Sequence, residues 1–344
     1  MKLGFAGKRT QGYGWGVCCT ELYAALARQA DLVDVFHEQF PPTLYDFPVF
    51  VPLVDHHLNP CCMARGKLNL GYAFLERAVG ESAVANAQRY EIVYAGSSWA
   101  AETMMRAGIV NGRVLVQGVN ADVFRPLPVA RRDGEIRIFS GGKLEFRKGQ
   151  DLVLAAFKSV SKAWPQARLW CIWYNRWPQS LRSMRASRCI EFVDELEDQV
   201  AWVQLLCARN GINAEQVCVF PQLSSESLAQ VMNQTDFGVF PNRCEGGTNL
   251  VVMEYMSCGK AAICTTGTGH ADILEPTNHL PLPEDDQPSK WSEPDVDELI
   301  EAMDYLLRQP GSRNTLGQYA RASMKRWTWE RAAKQILADI SSIS

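Results

Sequence analysis

The sequence has no surplus of basic residues, no Cys-x-x-Cys pair and no apolar run long enough to cross a bilayer. Each absence removes a class of function. Thirty-five Lys and Arg stand against 38 Asp and Glu, a formal net charge of −3. A partner held mainly by phosphate-backbone neutralisation, and hence a nucleic-acid partner, is therefore not expected. No stretch reaches the ~18–20 uncharged apolar residues of a membrane span. The first half has no basic amphipathic helix suited to an anionic bilayer, so peripheral membrane contact is not indicated either. The opening residues Met-Lys-Leu-Gly-Phe-Ala-Gly break too soon for a signal peptide, and a cytoplasmic location is expected. Eleven cysteines are an odd number, and two pairs are vicinal, Cys18-Cys19 and Cys61-Cys62. That pattern argues against both a disulfide framework and a zinc site, and for reduced, buried thiols.

What is present is an ordinary globular balance over 344 residues, 47% hydrophobic and 21% charged, enough for two domains with separate cores. Short apolar runs alternate with amphipathic stretches, the pattern of βα units around parallel sheets. Strands are expected at 2–6, 32–36, 49–54, 68–74, 92–95 and 114–117. A glycine loop, Gly12-Tyr13-Gly14-Trp15-Gly16, follows the first, and helices are expected at 82–89 and 99–107. Residues 124–134, rich in Pro, charge and Gly, mark a boundary. Beyond it, strands are expected at 136–140, 168–173, 216–220, 237–240 and 261–265, and helices at 150–163, 250–257, 296–308 and 329–341. Residues 285–293 read as a polar loop. This gives an N-terminal domain 1–128, a second domain 129–312 and a closing helical segment 313–344. The fold class is α/β, two doubly wound sheets with a cleft between them.

Two segments carry chemistry. In Ser140-Gly141-Gly142-Lys143-Leu144-Glu145-Phe146-Arg147-Lys148-Gly149, a strand runs into paired glycines that let the backbone approach an anion, with Lys143 and Lys148 as cations for a diphosphate. It is not a P-loop, because no Gly-x-x-x-x-Gly-Lys-Ser/Thr is present. The second segment, Glu245-Gly246-Gly247-Thr248-Asn249-Leu250-Val251-Val252-Met253-Glu254-Tyr255-Met256, joins a strand to a helix capped by Thr248 or Asn249. Gly246 and Gly247 free N–H groups at that terminus, where the helix dipole favours a phosphate. One of the carboxylates of Glu245 and Glu254 suits sugar hydroxyls and the other a ribose diol.

These segments resemble the retaining GT-B glycosyltransferases of family four, also called glycosyl transferases group 1. The family's Gly-Arg-Leu-x-x-x-Lys-Gly is similar to residues 142–149, with Lys143 in place of Arg. Its Glu-Gly-x-Gly-Leu-x-x-x-Glu-Ala-Met is similar to 245–256. Gly14-Trp15-Gly16, Ser97-Ser98-Trp99, Gly118 to Pro126 and Trp329-Glu330-Arg331 extend the likeness over nearly the whole chain. The resemblance implies two Rossmann-like domains, with the last helix crossing back onto the first. It implies a nucleotide-diphosphate sugar donor, a UDP- or GDP-sugar, with no other cofactor and no metal. Lys143 and Lys148 would hold the diphosphate beside Gly142. Glu254 would bind the ribose and Glu245 the donor sugar. The backbone of Gly246, Gly247, Thr248, Asn249 and Leu250 would contact phosphate or sugar, with Gly14 and Gly16 approaching from the first domain. Reaction would occur on one face of the sugar, the leaving phosphate helping to deprotonate an acceptor whose identity is left open.

The chain departs from the pattern twice. Eight residues separate Glu245 from Glu254 where the family has seven, which sets Asn249 at the family's second glycine and lengthens the 246–248 loop by one. The family's N-terminal-domain histidine has candidates in His56 and His57, of which His57 is taken as the catalytic one. Asp295-Val296-Asp297 has the form of a metal-binding Asp-x-Asp but opens a helix, where acidic residues serve as caps. His270 and Asp272 lie in a Gly-rich turn after a strand, and Trp170, Trp173 and Trp177 read as core plus one edge. A dinucleotide-dependent dehydrogenase is excluded, because Val17 stands where Gly-x-Gly-x-x-Gly needs its third glycine. A catalytically degenerate nucleotide- or sugar-binding protein of the same fold is the alternative.

Overall fold

The computed structural model describes residues 1–10, 13–38, 41–129, 134–194, 196–283 and 291–343. Within these the chain forms two compact units. One comprises Met1–Asn120, Glu245–Leu250 and Arg326–Ser344, the other Ala121–Cys244 and Val251–Lys325. Gly12, residues 130–133 of the boundary segment and residues 285–290 of the polar loop lie outside the described residues.

The first unit is built on β1 (Lys2–Phe5), β2 (Asp31–Asp34), β3 (Thr43–Leu44), β4 (Val49–Val51), β5 (Ala64–Arg65), β6 (Asn69–Ala73), β7 (Ile92–Ala95) and β8 (Gly112–Val114), with α1 (Gly14–Ala27), α2 (Glu81–Ala87) and α3 (Ser98–Arg106). Six strands form a parallel sheet in the order β2-β1-β4-β6-β7-β8, and β3 pairs with β5 beside it. The middle strands read as continuous apolar runs because helices cover both faces of such a sheet. Val49, Val51, Ala73, Val93 and Ala95 form one core with Ala83, Ala87, Ala100 and Met104 of the covering helices. Hydrophobicity extends the last strand to 117, but pairing ends at Val114. Leu115 and Val116 are buried beyond the ladder.

The second unit contains β9 (Ile136–Gly141), α4 (Gln150–Ala163), β10 (Ala167–Ile172), α5 (Gln199–Arg209), β11 (Val217–Val219), α6 (Ser225–Asn233), β12 (Phe237–Phe240), α7 (Leu250–Ser257), β13 (Ala261–Thr265), β14 (Leu280–Leu282), α8 (Val296–Arg308) and α9 (Pro310–Met324). Its sheet is also parallel, in the order β11-β10-β9-β12-β13-β14. Chain order therefore reverses between β9 and β12. In an open α/β sheet that switch point, at the carboxyl ends of the strands, is where ligands bind. In the first unit the reversal falls between β1 and β4.

Two helices pack the second core by visible periodicity. Leu152, Val153, Ala156, Phe157 and Val160 of α4 meet Leu299, Met303, Leu306 and Leu307 of α8. The i, i+4, i+7, i+8 spacing puts the α8 set on one stripe, each leucine contributing roughly 1.5–3 kcal/mol on burial. Asp295 caps α8, accepting from the N–H groups of Asp297 at 2.7 Å and Glu298 at 3.2 Å. The Asp-x-Asp reading is thereby accounted for by helix chemistry.

The last helix, α10 (Trp329–Ile343), belongs to the first unit and packs on α1. Asp339 accepts from Arg113 at 2.5 Å and from the buried Tyr94 hydroxyl at 2.9 Å, and Gln335 donates to the Val114 carbonyl at 2.7 Å. All eleven cysteines are free thiols, eight of them buried. Burial pushes the Cys18 thiol up to about 12. Among the described residues no helix is long and apolar enough to cross a membrane.

Candidate active site

Both chemistry-bearing segments leave the switch point of the second unit. The first, after β9, turns through Gly142 at φ +111, a conformation that only glycine takes without strain, and nothing lies within 4 Å of where a Cβ would sit. It ends at Gly149, φ +72, which serves as the N-cap of α4. The loop thus delivers its charges to the positive end of a 14-residue helix.

Its backbone is already committed. The Gly142 N–H donates to Ile172 C=O at 3.0 Å, Leu144 to the Asn175 side chain at 2.7 Å, Phe146 to Ser183 Oγ at 3.1 Å and Lys148 to Glu145 C=O at 2.8 Å. Asn175 returns a bond to Leu144 C=O at 3.1 Å, and Gln150 holds Lys143 C=O at 2.6 Å. The expected cradle of backbone donors is therefore largely spent on the fold. The charge this loop offers comes from side chains. Lys143 lies 3.7 Å from Glu145 and 5.4 Å from the ring centre of the half-exposed Trp177. Lys148 is half-buried. Arg147, which the motif reading passed over, is buried, 3.0 Å from Glu145 and 3.3 Å from the Cys244 carbonyl.

The second segment, after β12, is buried throughout residues 241–250. It is joined to the first along its backbone. Arg147 C=O accepts from Arg243 N–H at 2.7 Å and Cys244 N–H at 3.2 Å, and Gly149 packs so close to Pro241 that an added Cβ would lie 2.0 Å from its carbonyl oxygen. The two loops of the switch point are one structural piece. Glu254 sits in the second turn of α7 at 6% exposure and Glu245 at 4%, so both carboxylates are withdrawn from bulk water.

Asn249, the residue set at the family's second glycine, has φ +60. Asparagine is among the few non-glycine residues that enter the left-handed region readily, so it meets there the conformational demand a glycine would meet. Thr268, in the turn after the adjacent β13, has φ +52, a true outlier for a β-branched residue. Held strain of this kind collects at ligand sites. His270 is fully buried behind it, its Nδ1 3.1 Å from the Thr265 carbonyl.

Several glycines of the motifs are used by the protein itself. Gly246 contacts the backbone of Leu75 and offers its carbonyl to Ser97 Oγ at 3.1 Å, and Gly247 lies against Phe74. Gly14 and Gly16 fall in the first turn of α1, not in a loop. A Cβ on Gly16 would meet the Thr10 carbonyl at 2.4 Å, whereas Gly14 faces open space. Thr248 and Leu250 are both buried.

His57 stands on a tightly tied turn at the first unit's own switch point. Asp55 Oδ1 accepts from the N–H groups of His57 and Asn59, both at 2.8 Å, and those bonds hold its carboxyl below the usual range against the opposing effect of burial. Leu58, buried at φ +59, closes the turn, and Tyr90 and Asn86 bind the Leu58 and His57 carbonyls. The His57 Nδ1 lies 3.0 Å from Ser82 Oγ, which fixes the ring, and His56 packs on it with centroids 4.0 Å apart. Of the tryptophans, Trp173 is core, donating to Ser140 Oγ at 3.0 Å, and Trp177 is the exposed edge.

Comparison with known proteins identifies the family. Residues 128–323, more than half of the chain, match the family described as glycosyl transferases group 1. A GDP-mannose-dependent monoacylated alpha-(1-6)-phosphatidylinositol monomannoside mannosyltransferase of Corynebacterium glutamicum is 25% identical over 202 residues, 56% of this chain but only 44% of that relative. The chain thus spans less than half the length of the curated relative it matches. Among solved structures, sucrose-phosphate synthase from Thermosynechococcus elongatus superposes with a TM-score of 0.71 at 16% identity over 100% of both chains. Anabaena HepE in complex with UDP gives 0.68 at 14% identity over 99% of this chain and 100% of that one. The protein belongs to the group 1 glycosyltransferases and is built as the two Rossmann-like units of the GT-B fold.

Proposed function

We propose that the enzyme moves a sugar from a nucleoside-diphosphate sugar to an acceptor hydroxyl with retention of configuration and without a metal ion. The observation that carries this reading is the cationic loop 142–149, fixed to the β12 loop at the switch point of the second unit. Lys143 and Lys148 neutralise the charge that grows on the departing diphosphate, the place where fixed cations lower the barrier most. Their backbone is immobilised before substrate arrives, so little reorganisation remains for the reaction. Glu254 binds the ribose diol, Glu245 the hydroxyls of the transferred sugar, and the segment from Gly246 to Leu250 approaches phosphate or sugar through its backbone. The departing phosphate takes the acceptor proton on the face it leaves. Gly14, with open space beside it, and His57, whose ring is fixed by Ser82, are further sugar-binding residues.

The relatives' names speak for both bases, GDP-mannose for the corynebacterial enzyme and UDP for HepE. The test is a thermal-shift panel of UDP, GDP and ADP with and without EDTA, because a ligand that binds only the folded state raises its apparent stability. A selective, EDTA-insensitive shift is expected from one nucleotide, followed by sugar transfer from its hexose esters with retained anomeric configuration by NMR. In that assay Lys148→Ala should lower kcat at least tenfold, about 1.4 kcal/mol of barrier. Nucleotide binding without turnover on any hexose ester would instead identify a degenerate binding protein.

A further inference from the structure

Arg243 satisfies every donor it has inside the protein. Its Nε and Nη2 donate to the Glu293 carboxylate at 2.7 and 2.6 Å, its Nη1 to Phe146 C=O at 2.7 Å and Asp151 Oδ1 at 2.8 Å, and its Nη2 also to Asp151 Oδ2 at 2.9 Å. The guanidinium lies 3.8 Å from the Phe146 ring centre. Arg243 and Asp151 are 1% and 0% exposed, whereas the Glu293 side chain is 61% exposed. Asp151 also accepts from Ser187 Oγ at 2.7 Å, and Ser292 N–H donates to the Arg243 carbonyl at 3.0 Å.

A buried ion pair is an inefficient way to add stability, because removing two charges from water offsets most of their attraction. Apolar side chains of similar volume would fill the same space. What they could not do is reach Phe146 C=O, in the middle of the lysine-bearing loop, from the strand end that carries the other motif. Lysine could not do it either, having no planar fork to serve Asp151 and the carbonyl together.

We propose that Arg243 is a positioning residue for donor binding: it clamps the loop 142–149 to the end of β12 through Phe146 C=O and Asp151, and so sets where Lys143 and Lys148 stand. The inference rests on the proposed diphosphate role of those lysines, and it adds a residue outside both motifs to that function. Sequence inspection passes it by because Arg243 touches neither glycine pair and its main partner lies 92 residues away.

The test replaces the buried pair by apolar residues of similar volume, Arg243→Met with Asp151→Leu, beside Arg243→Lys alone. Melting temperature, affinity for UDP and GDP by calorimetry, and amide exchange of peptides covering 142–149 are measured on each. The expected result is a folded double variant with a melting temperature near wild type, at least tenfold weaker nucleotide binding and at least tenfold faster exchange in 142–149. A folded double variant with wild-type affinity and wild-type exchange would overturn the inference, reducing Arg243 to packing. Should the double variant fail to fold, Arg243→Lys decides by the same readouts: at least fivefold weaker binding with faster loop exchange supports clamping, and no change in either refutes it. If wild type binds none of UDP, GDP and ADP, the proposed function falls. The exchange of 142–149 in the variants then still decides whether Arg243 fixes the loop.

Discussion

Gly149→Ala tests the joined-loop geometry most sharply, and its cost can be worked from the structure. Gly149 has φ +72, and an L-residue forced into the left-handed region loses about 1–2 kcal/mol. An added Cβ would also lie 2.0 Å from the Pro241 carbonyl oxygen and 2.9 Å from its carbon, and both are backbone atoms, not a flexible side-chain end. Relief requires the start of α4 and the end of β12 to part by about 1 Å. That separation breaks the bonds from Arg243 and Cys244 N–H to Arg147 C=O, worth about 1 kcal/mol each. The sum is about 3–4 kcal/mol. Gly142→Ala supplies the control, since its φ of +111 is also disfavoured for an L-residue but no atom lies within 4 Å, leaving conformational strain of about 1–3 kcal/mol alone. Gly14→Ala, with neither problem and a helical setting, should gain about 0.5–1 kcal/mol. Urea denaturation followed by circular dichroism, compared by midpoint at constant slope, gives the ranking. A Gly149→Ala protein no less stable than Gly142→Ala would show that the two loops are not locked together as described.

Other consequences are simpler to read. Burial holds the His279 pKa below its ordinary 6.5, partly offset by the hydrogen bond to the Glu275 carbonyl, and its Nε2 has no hydrogen-bond partner among the described residues. Because the folded form resists protonation, its stabilising contribution is full above pH 6.5 and declines as pH falls toward the depressed value, by at most about 1.4 kcal/mol per unit. Chemical denaturation between pH 7 and 5 should show that slope, and His279→Gln should flatten it. Asp339→Asn weakens the shared contact with Arg113 and Tyr94, and a loss of about 1–2 kcal/mol is expected, with faster amide exchange in α10 as the readout. Glu254→Ala should weaken nucleotide binding in calorimetry; unchanged affinity would move the ribose contact elsewhere.

All strands of the two six-stranded parallel sheets except β14 were open to a reading of periodicity, down to the bounds of β12 and β13, as were the bounds of α4 and α8. Three helices were not. α9 opens with Pro310-Gly311, a pair that signals a break although proline is favoured in a first helical turn. α6 is only nine residues long and carries two serines, and α5 is apolar around much of its circumference, so α5 shows no clean stripe. The motifs located the switch-point loops, because strand, glycine and helix start are local properties. What each glycine is for was not local. Gly16 serves Thr10, Gly149 serves Pro241 and Gly246 serves Leu75, and only the folded chain reveals which neighbour required the missing side chain. The Arg243–Asp151 clamp escaped notice for the same reason.

The first unit draws its parts from three separated stretches of chain, and this bears on its birth. When Asn120 has left the ribosome, about two hundred further residues must be made before Arg326 and the helix after it emerge. At 5–20 residues per second that interval is roughly 10–40 s. Through it α1 lacks the helix that covers it, and Tyr94 and Arg113 lack Asp339. The second unit is fully synthesised first. Vectorial synthesis thus finishes the second-made unit before the first-made one, whose α1 and Tyr94 stay without these contacts until α10 emerges.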